Sequence, residues 1–204
     1  MNSPQHSVRV GEVLIGWAEV GLGAAPAVAL GPADAARAAA LPAERQARFL
    51  QGRALLHQLL GELQPGVVHQ LDAGPCPHCG GAHGPVVVAD AAAVVSLSYA
   101  ADLVVAAVAP AQLISAVGLD AEPNTAGSER LTDLAKLIGG APASALRRWT
   151  QLEAVLKADG RGLRVDPQRV LIQADQARIE GEPARYHLAE VDGAPGQVIS
   201  LAWR

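Results

Sequence analysis

Segments with a helical repeat and segments with a strand repeat follow one another in mixed order along this chain, joined by short Gly- and Pro-rich connections. That order predicts an α+β fold with antiparallel sheets. Residues 8 to 20 alternate Val, Leu, Ile and Trp with small or polar residues and read as one strand. After a Gly/Ala/Pro stretch, "LPAERQARFLQGRALLHQLLGEL" places Phe49, Leu56, Leu59, Leu60 and Leu63 at helical spacing behind Pro42. Arg53 lies at the margin of that stripe, where a guanidinium can reach sideways to water. "PVVVAD", "AAVVSLSYA" and "LVVAAVAP" read as strands. Helices are expected over about Ser128 to Ile138, stopped by Gly139 and Gly140, and over about Pro142 to Asp159. "RVLIQAD", "RYHLAEV" and "QVISLAW" then read as strands between Gly/Asp/Pro turns.

The 204 residues suffice for one ordinary domain or two small halves sharing a core. Only 3% are aromatic, so that core must be built from Ala, Val and Leu. A net charge of −4 argues against a general nucleic-acid binder, which needs clustered cations to replace the counterions of phosphates. The N-terminal stretch has no secretory pattern, and no run approaches the roughly 18 apolar residues of a membrane span. A cytoplasmic protein without nucleic-acid or membrane partners is expected, with Cys76 and Cys79 reduced.

Within the apolar stretch "VGLDAEP", Asp120 and Glu122 would project from one face of a strand. Like charges so close call for a metal ion, an Arg or Lys, or open solvent. On the Pro142–Asp159 helix, Glu153 falls on the face marked by Leu146 and Trp149, and Lys157 stands one turn on as an (i, i+4) partner. Three carboxylates with no histidine nearby suit a hard cation such as Mg2+, which takes its remaining ligands from water and substrate phosphates. With a cationic Lys157 beside them, the chemistry suggested is phosphoryl transfer or phosphate-ester handling.

"VGLDAEP" resembles the Gly-x-Asp-x-Glu motif of 4'-phosphopantetheinyl transferases of the surfactin-synthetase-activating type, and "WTQLEAVLKADGRGL" resembles that family's second motif. Upstream, "RFLQGRALLHQLL", "CPHCGGAHGP" and "VSLSYAADLVVAAV" are similar to its N-terminal helix, a following loop and its Ser-x-Ser-His strand pair, so the likeness is colinear from about Arg45 to Leu163. The resemblance implies two similar α+β halves, residues 1–110 and 111–204, with the active site in the cleft between them. It implies Mg2+-dependent transfer of phosphopantetheine from coenzyme A to a serine of an acyl carrier protein or peptidyl carrier protein by a monomeric enzyme. Asp120, Glu122 and Glu153 would hold the metal, and Glu153 or a water it orients would accept the serine proton. Lys157 would neutralise phosphate, Arg53 would hold the 3'-phosphate, the Ser98 region would line the coenzyme pocket, and Gly118 would let the chain pass close to the nucleotide. Arg45 and Arg48 would contribute to carrier docking.

Three positions depart from the family pattern. Tyr99 replaces a histidine that touches the pyrophosphate, Leu152 replaces a lysine, and Gly84 replaces a basic residue. Each charge-assisted contact is worth roughly 1.5 to 3 kcal/mol, so either Arg147, Arg148 or Arg161 compensates or activity falls. The rival reading is a weakened or inactive relative that binds coenzyme A and carrier proteins as a scaffold. Cys76 and Cys79, with His78 and His83, also allow a zinc or a redox reading, though a plain glycine-rich turn is the simpler one.

Overall fold

The computed structural model describes residues 6–21 and 27–204. The first part of the chain forms β1 (His6–Val10), β2 (Val13–Glu19), α1 (Pro32–Ala40), α2 (Ala43–Leu63), β3 (Leu71–Ala73), β4 (Val86–Val88), β5 (Ala93–Ala100) and β6 (Leu103–Pro110). The second forms β7 (Val117–Pro123), α3 (Ser128–Ile138), α4 (Pro142–Asp159), β8 (Val170–Gln173), β9 (Gln176–Ile179), β10 (Arg185–Glu190) and β11 (Gln197–Trp203). Two antiparallel sheets result, ordered β1-β2-β6-β5 and β7-β11-β10-β9-β8, with β3 and β4 as a separate ribbon. Both sheets share a connectivity: the strand before two helices pairs with the last strand of its part, which pairs in turn with the strand before it. Among the described residues no helix is long and apolar enough to cross a membrane.

Four elements differ from the sequence expectation, among them the three-residue β3, too short to show a period. Residues 8 to 20 form a hairpin, because Gly11 at φ +55° turns the chain between the paired Val10 and Val13. Helix α1 occupies the Gly/Ala/Pro stretch and starts on Pro32, whose fixed φ suits a first helical turn. Strand β9 pairs with β8 and β10, a four-residue element too short to stand out by periodicity.

Strand alternation sorts the side chains into layers. Val13, Ile15 and Trp17 of β2 and Val105, Ala107 and Ala109 of β6 face Val117, Leu119 and Ala121 of β7 in one core shared by the two sheets. The opposite face of the first sheet, with Leu14, Val104, Ala106 and Val108, lies under Leu55, Leu56, Leu59 and Leu60 of α2. Helix α4 covers the second sheet with Leu152, Val155 and Leu156, and ends on Gly160, whose left-handed φ of +89° closes the last turn. The order helix, sheet, sheet, helix leaves α2 and α4 on the outside of the stack. Small side chains let these layers approach, as expected of a core poor in aromatics.

Candidate functional site

The even-numbered residues of β7 face α4 while its edge lies beside β5, and three buried polar groups meet at that junction. Asp120 is 4% exposed. Its Oδ1 accepts a hydrogen bond from Ser98 Oγ at 2.9 Å and from Lys157 Nζ at 2.6 Å. Its Oδ2 is buried without a hydrogen-bond partner. Lys157 also donates to the Leu119 carbonyl oxygen (3.1 Å) and to Ser98 Oγ (3.2 Å). Ser98 and Ser96 accept from the backbone N–H of Ala121 (3.2 Å) and Leu119 (3.0 Å), tying the edge of one sheet to the edge of the other.

Lys157 therefore pairs across the fold with Asp120 rather than along its helix with Glu153. Burial raises the Glu153 pKa, repulsion from Asp120 and Glu122 adds to the rise, and Lys157 opposes it. Glu122 is held by Arg130 of α3 at 2.7 Å. The three acids are neighbours in charge but are not drawn to ligand spacing: among the described residues, the group of three potential ligand atoms within 4.8 Å of one another is Cys76, Cys79 and His83. Arg130 and Lys157 occupy carboxylate oxygens that a cation would need. The donor set nonetheless fits a hard ion, because it is all oxygen and because the Asp120 Oδ2 is a buried acceptor with nothing to accept.

Lys157 also belongs to a cleft of about 310 Å3 formed by α2, β5, the Gly84–Val86 segment and the end of α4. Arg37, Arg53 and Tyr99 line it with Lys157, as do Ser96 and Leu97, while Ser98 points into the Asp120 network. Arg53 is 5% exposed, makes a two-pronged ion pair with Asp34 of α1, and stands 4.5 Å from the centroid of the Phe49 ring. The guanidinium thus points inward rather than snorkelling to water, and its buried charge is matched by a carboxylate. A second, more open depression of about 380 Å3 runs along α3, past Glu129, Arg130 and Asp133, and shares no lining residue with this cleft.

Gly118 plays a different part from the one expected of it. A Cβ there would overlap the Ala154 carbonyl oxygen and the Ala158 nitrogen, so the missing side chain admits the backbone of α4 rather than a nucleotide. Gly84 is similarly enclosed: a Cβ would overlap the Pro75 carbonyl oxygen, which leaves no room for a basic side chain at that position. Leu152 is 1% exposed in the α4 core, where a lysine charge would be costly. Arg161 is held by Asp159 and Glu182, and Arg147 by Glu190, so these two are committed elsewhere. Arg37, on the helix that sequence periodicity did not reveal, joins the cleft instead.

Tyr99 is raised above the ordinary phenol pKa by burial, against the pull of Arg53, Arg48 and Arg37, and so remains a hydrogen-bond donor. The Arg48 guanidinium lies 5.1 Å from the centroid of its ring. The Tyr99 hydroxyl fills the space where a Cβ on Gly52 of α2 would sit. Gly52→Ala is therefore expected to destabilise by about 1 kcal/mol, an overpacking cost partly offset by the better helix propensity of Ala. Urea unfolding would check this, and a net gain in stability would show that Tyr99 can swing away freely.

The loop from Cys76 to His83 holds a buried and an exposed free thiol. Backbone N–H groups of Cys79 and His78 directed at Cys76 Sγ lower its pKa from 9.0 to about 6. Cys79 Sγ lies 3.5 Å from His83 Nε2, a closeness that an unremarkable turn does not require. No family model matches this chain, and no curated protein matches it either.

Proposed function

We propose that this protein transfers the 4'-phosphopantetheine arm of coenzyme A to a serine of an acyl or peptidyl carrier protein and releases adenosine 3',5'-bisphosphate. One observation supports this above the others: Lys157 lines a cleft that also presents Arg37 and Arg53, and its ammonium is bonded to Asp120 among three neighbouring carboxylates. A group of cations thus adjoins a group of acids at the end of the cleft. In this reading the repeated connectivity of the two sheets corresponds to two similar halves of one monomeric transferase, residues 1–110 and 111–204.

Asp120, Glu122 and Glu153 would hold Mg2+, which when bound supplies charge neutralisation to the diphosphate. The chain's own residues then divide the remaining work. Lys157 attracts the pyrophosphate oxygens, while Arg37 and Arg53 face the 3'-phosphate. Tyr99 donates a neutral hydrogen bond where the resembling family has a cation. The serine Oγ attacks the β-phosphorus, the bond from that phosphorus to the bridging oxygen breaks, and the bisphosphate leaves with the electron pair. The serine proton passes to Glu153, directly or through a water.

A second reading, a coenzyme-binding scaffold, draws on the pairing of Arg53 with Asp34, which cancels one charge that phosphate binding uses. Intact-mass measurement of an apo carrier protein incubated with this chain, coenzyme A and Mg2+ separates the two. The transferase reading expects the mass of one phosphopantetheine on the carrier serine, lost on adding a chelator. Calorimetric binding of coenzyme A with no mass gain on any of several carrier types would leave the scaffold.

A further inference from the structure

We propose that Cys76, Cys79 and His83 form a zinc site that braces one wall of the cleft. The two sulfurs and an imidazole nitrogen all lie within 4.8 Å of one another. Ligands of a tetrahedral zinc stand roughly 3.5 Å apart, given Zn–S and Zn–N bonds of about 2.3 and 2.0 Å, and the Cys79 and His83 atoms are already 3.5 Å apart. Both cysteines are free, so neither sulfur is consumed by a disulfide. Mixed sulfur and nitrogen donors select zinc over magnesium, so this site and the carboxylates would not compete for one ion.

The loop is built to hold these atoms in place. Cys76 N–H donates to the Gly81 carbonyl (2.7 Å), Gly80 N–H returns a bond to the Cys76 carbonyl (2.8 Å), and His83 N–H donates to Gly81 (2.8 Å). Gly80 supplies the left-handed turn at φ +73°. Cys76 Sγ is surrounded by donors: the backbone N–H groups of Cys79 and His78, and an Arg164 guanidinium nitrogen at 3.5 Å. Outer partners of this kind stabilise a thiolate ligand and fix its direction. Cys79 and His83 are exposed, leaving the fourth position to water.

The position of the site gives it a consequence. Gly84, Pro85 and Val86 follow His83 directly and line the cleft. Arg164 follows α4, so its contact with Cys76 joins the two parts of the chain. A bound zinc would hold the loop, and with it that wall, in one conformation.

The test uses the full chain, purified reduced, stripped of metal and titrated with Co2+ and then Zn2+. The expected result is one ion per chain, thiolate-to-cobalt charge-transfer absorption that zinc abolishes, and a zinc-dependent rise in Tm. Cys79→Ser and His83→Ala, both at exposed positions, should weaken binding beyond the 10- to 100-fold typical of outer partners, and Arg164→Ala should weaken it by about 10-fold. Absence of thiolate–cobalt absorption, equal metal binding by Cys79→Ser, or closure to a Cys76–Cys79 disulfide with no metal uptake would each overturn the site. None of these readouts involves carrier modification, so they stand or fall separately from the transferase reading.

Discussion

Glu153→Gln is expected to lower phosphopantetheine transfer by about 10²- to 10⁴-fold, the usual loss with a proton acceptor, and to stabilise the metal-free protein at pH 7. The second effect follows from the environment of the carboxyl. Burial raises its pKa above 4.5, with Asp120 and Glu122 adding to the rise against Lys157. A group that holds its proton more tightly when folded stabilises the native state fully below its unfolded pKa. That contribution disappears as pH climbs through the raised folded value. Wild-type protein in chelator should therefore lose this contribution across that window, against the opposite trend of Asp90 and Asp159, whose lowered pKa values favour the folded state at higher pH. Glutamine, which has no charge to develop, should remove the loss. Thermal unfolding at pH 4 and pH 7, paired with the carrier mass assay, reads both effects. Undiminished transfer would remove Glu153 from the chemistry, and a lower Tm of the variant at pH 7 would contradict the electrostatic account.

Gly118→Ala is expected to cost about 3 kcal/mol or more, at the upper end of overpacking effects, since backbone rather than a movable side chain stands in the way. The atoms overlapped belong to Ala154 and Ala158, inside a continuous helix. Relief requires α4 to move off β7, and that movement would carry Lys157 and Glu153 away from Asp120. Stability and transfer should thus fall together, with a drop in Tm of roughly 6 to 12 °C for a chain of this size. Gly61→Ala is the matched control: it lies on the exposed face of α2 with nothing within 4 Å of a Cβ, and should be neutral or slightly stabilising. Equal behaviour of the two variants would show that β7 and α4 do not need their close approach.

The long helices and most strands were legible because their apolar residues recur at the right period, as in α4, where Leu152, Val155 and Leu156 all enter one core. Helix α1 was not, since "PADAARAAA" carries no stripe of large apolar residues to betray it. With α1 went Asp34, the partner of Arg53, and Arg37 of the cleft. The acids on β7 and α4 could be singled out because carboxylates are rare on apolar faces. Their pairing could not, because an (i, i+4) rule sees Glu153 beside Lys157 but not Asp120, which lies 37 residues away in sequence. Gly118 shows the same limit: a glycine beside a motif invites a ligand, and only the packed helix reveals a neighbour already there.

The hydroxyls of Ser96 and Ser98 have a consequence for strand pairing as well as for the site. Strand β7 ends its sheet, and an open strand offers its amides to any passing chain as a template for pairing. Here the outward amides of Leu119 and Ala121 are already engaged by those hydroxyls. The pair of serines thereby withdraws those two amides from pairing with another strand.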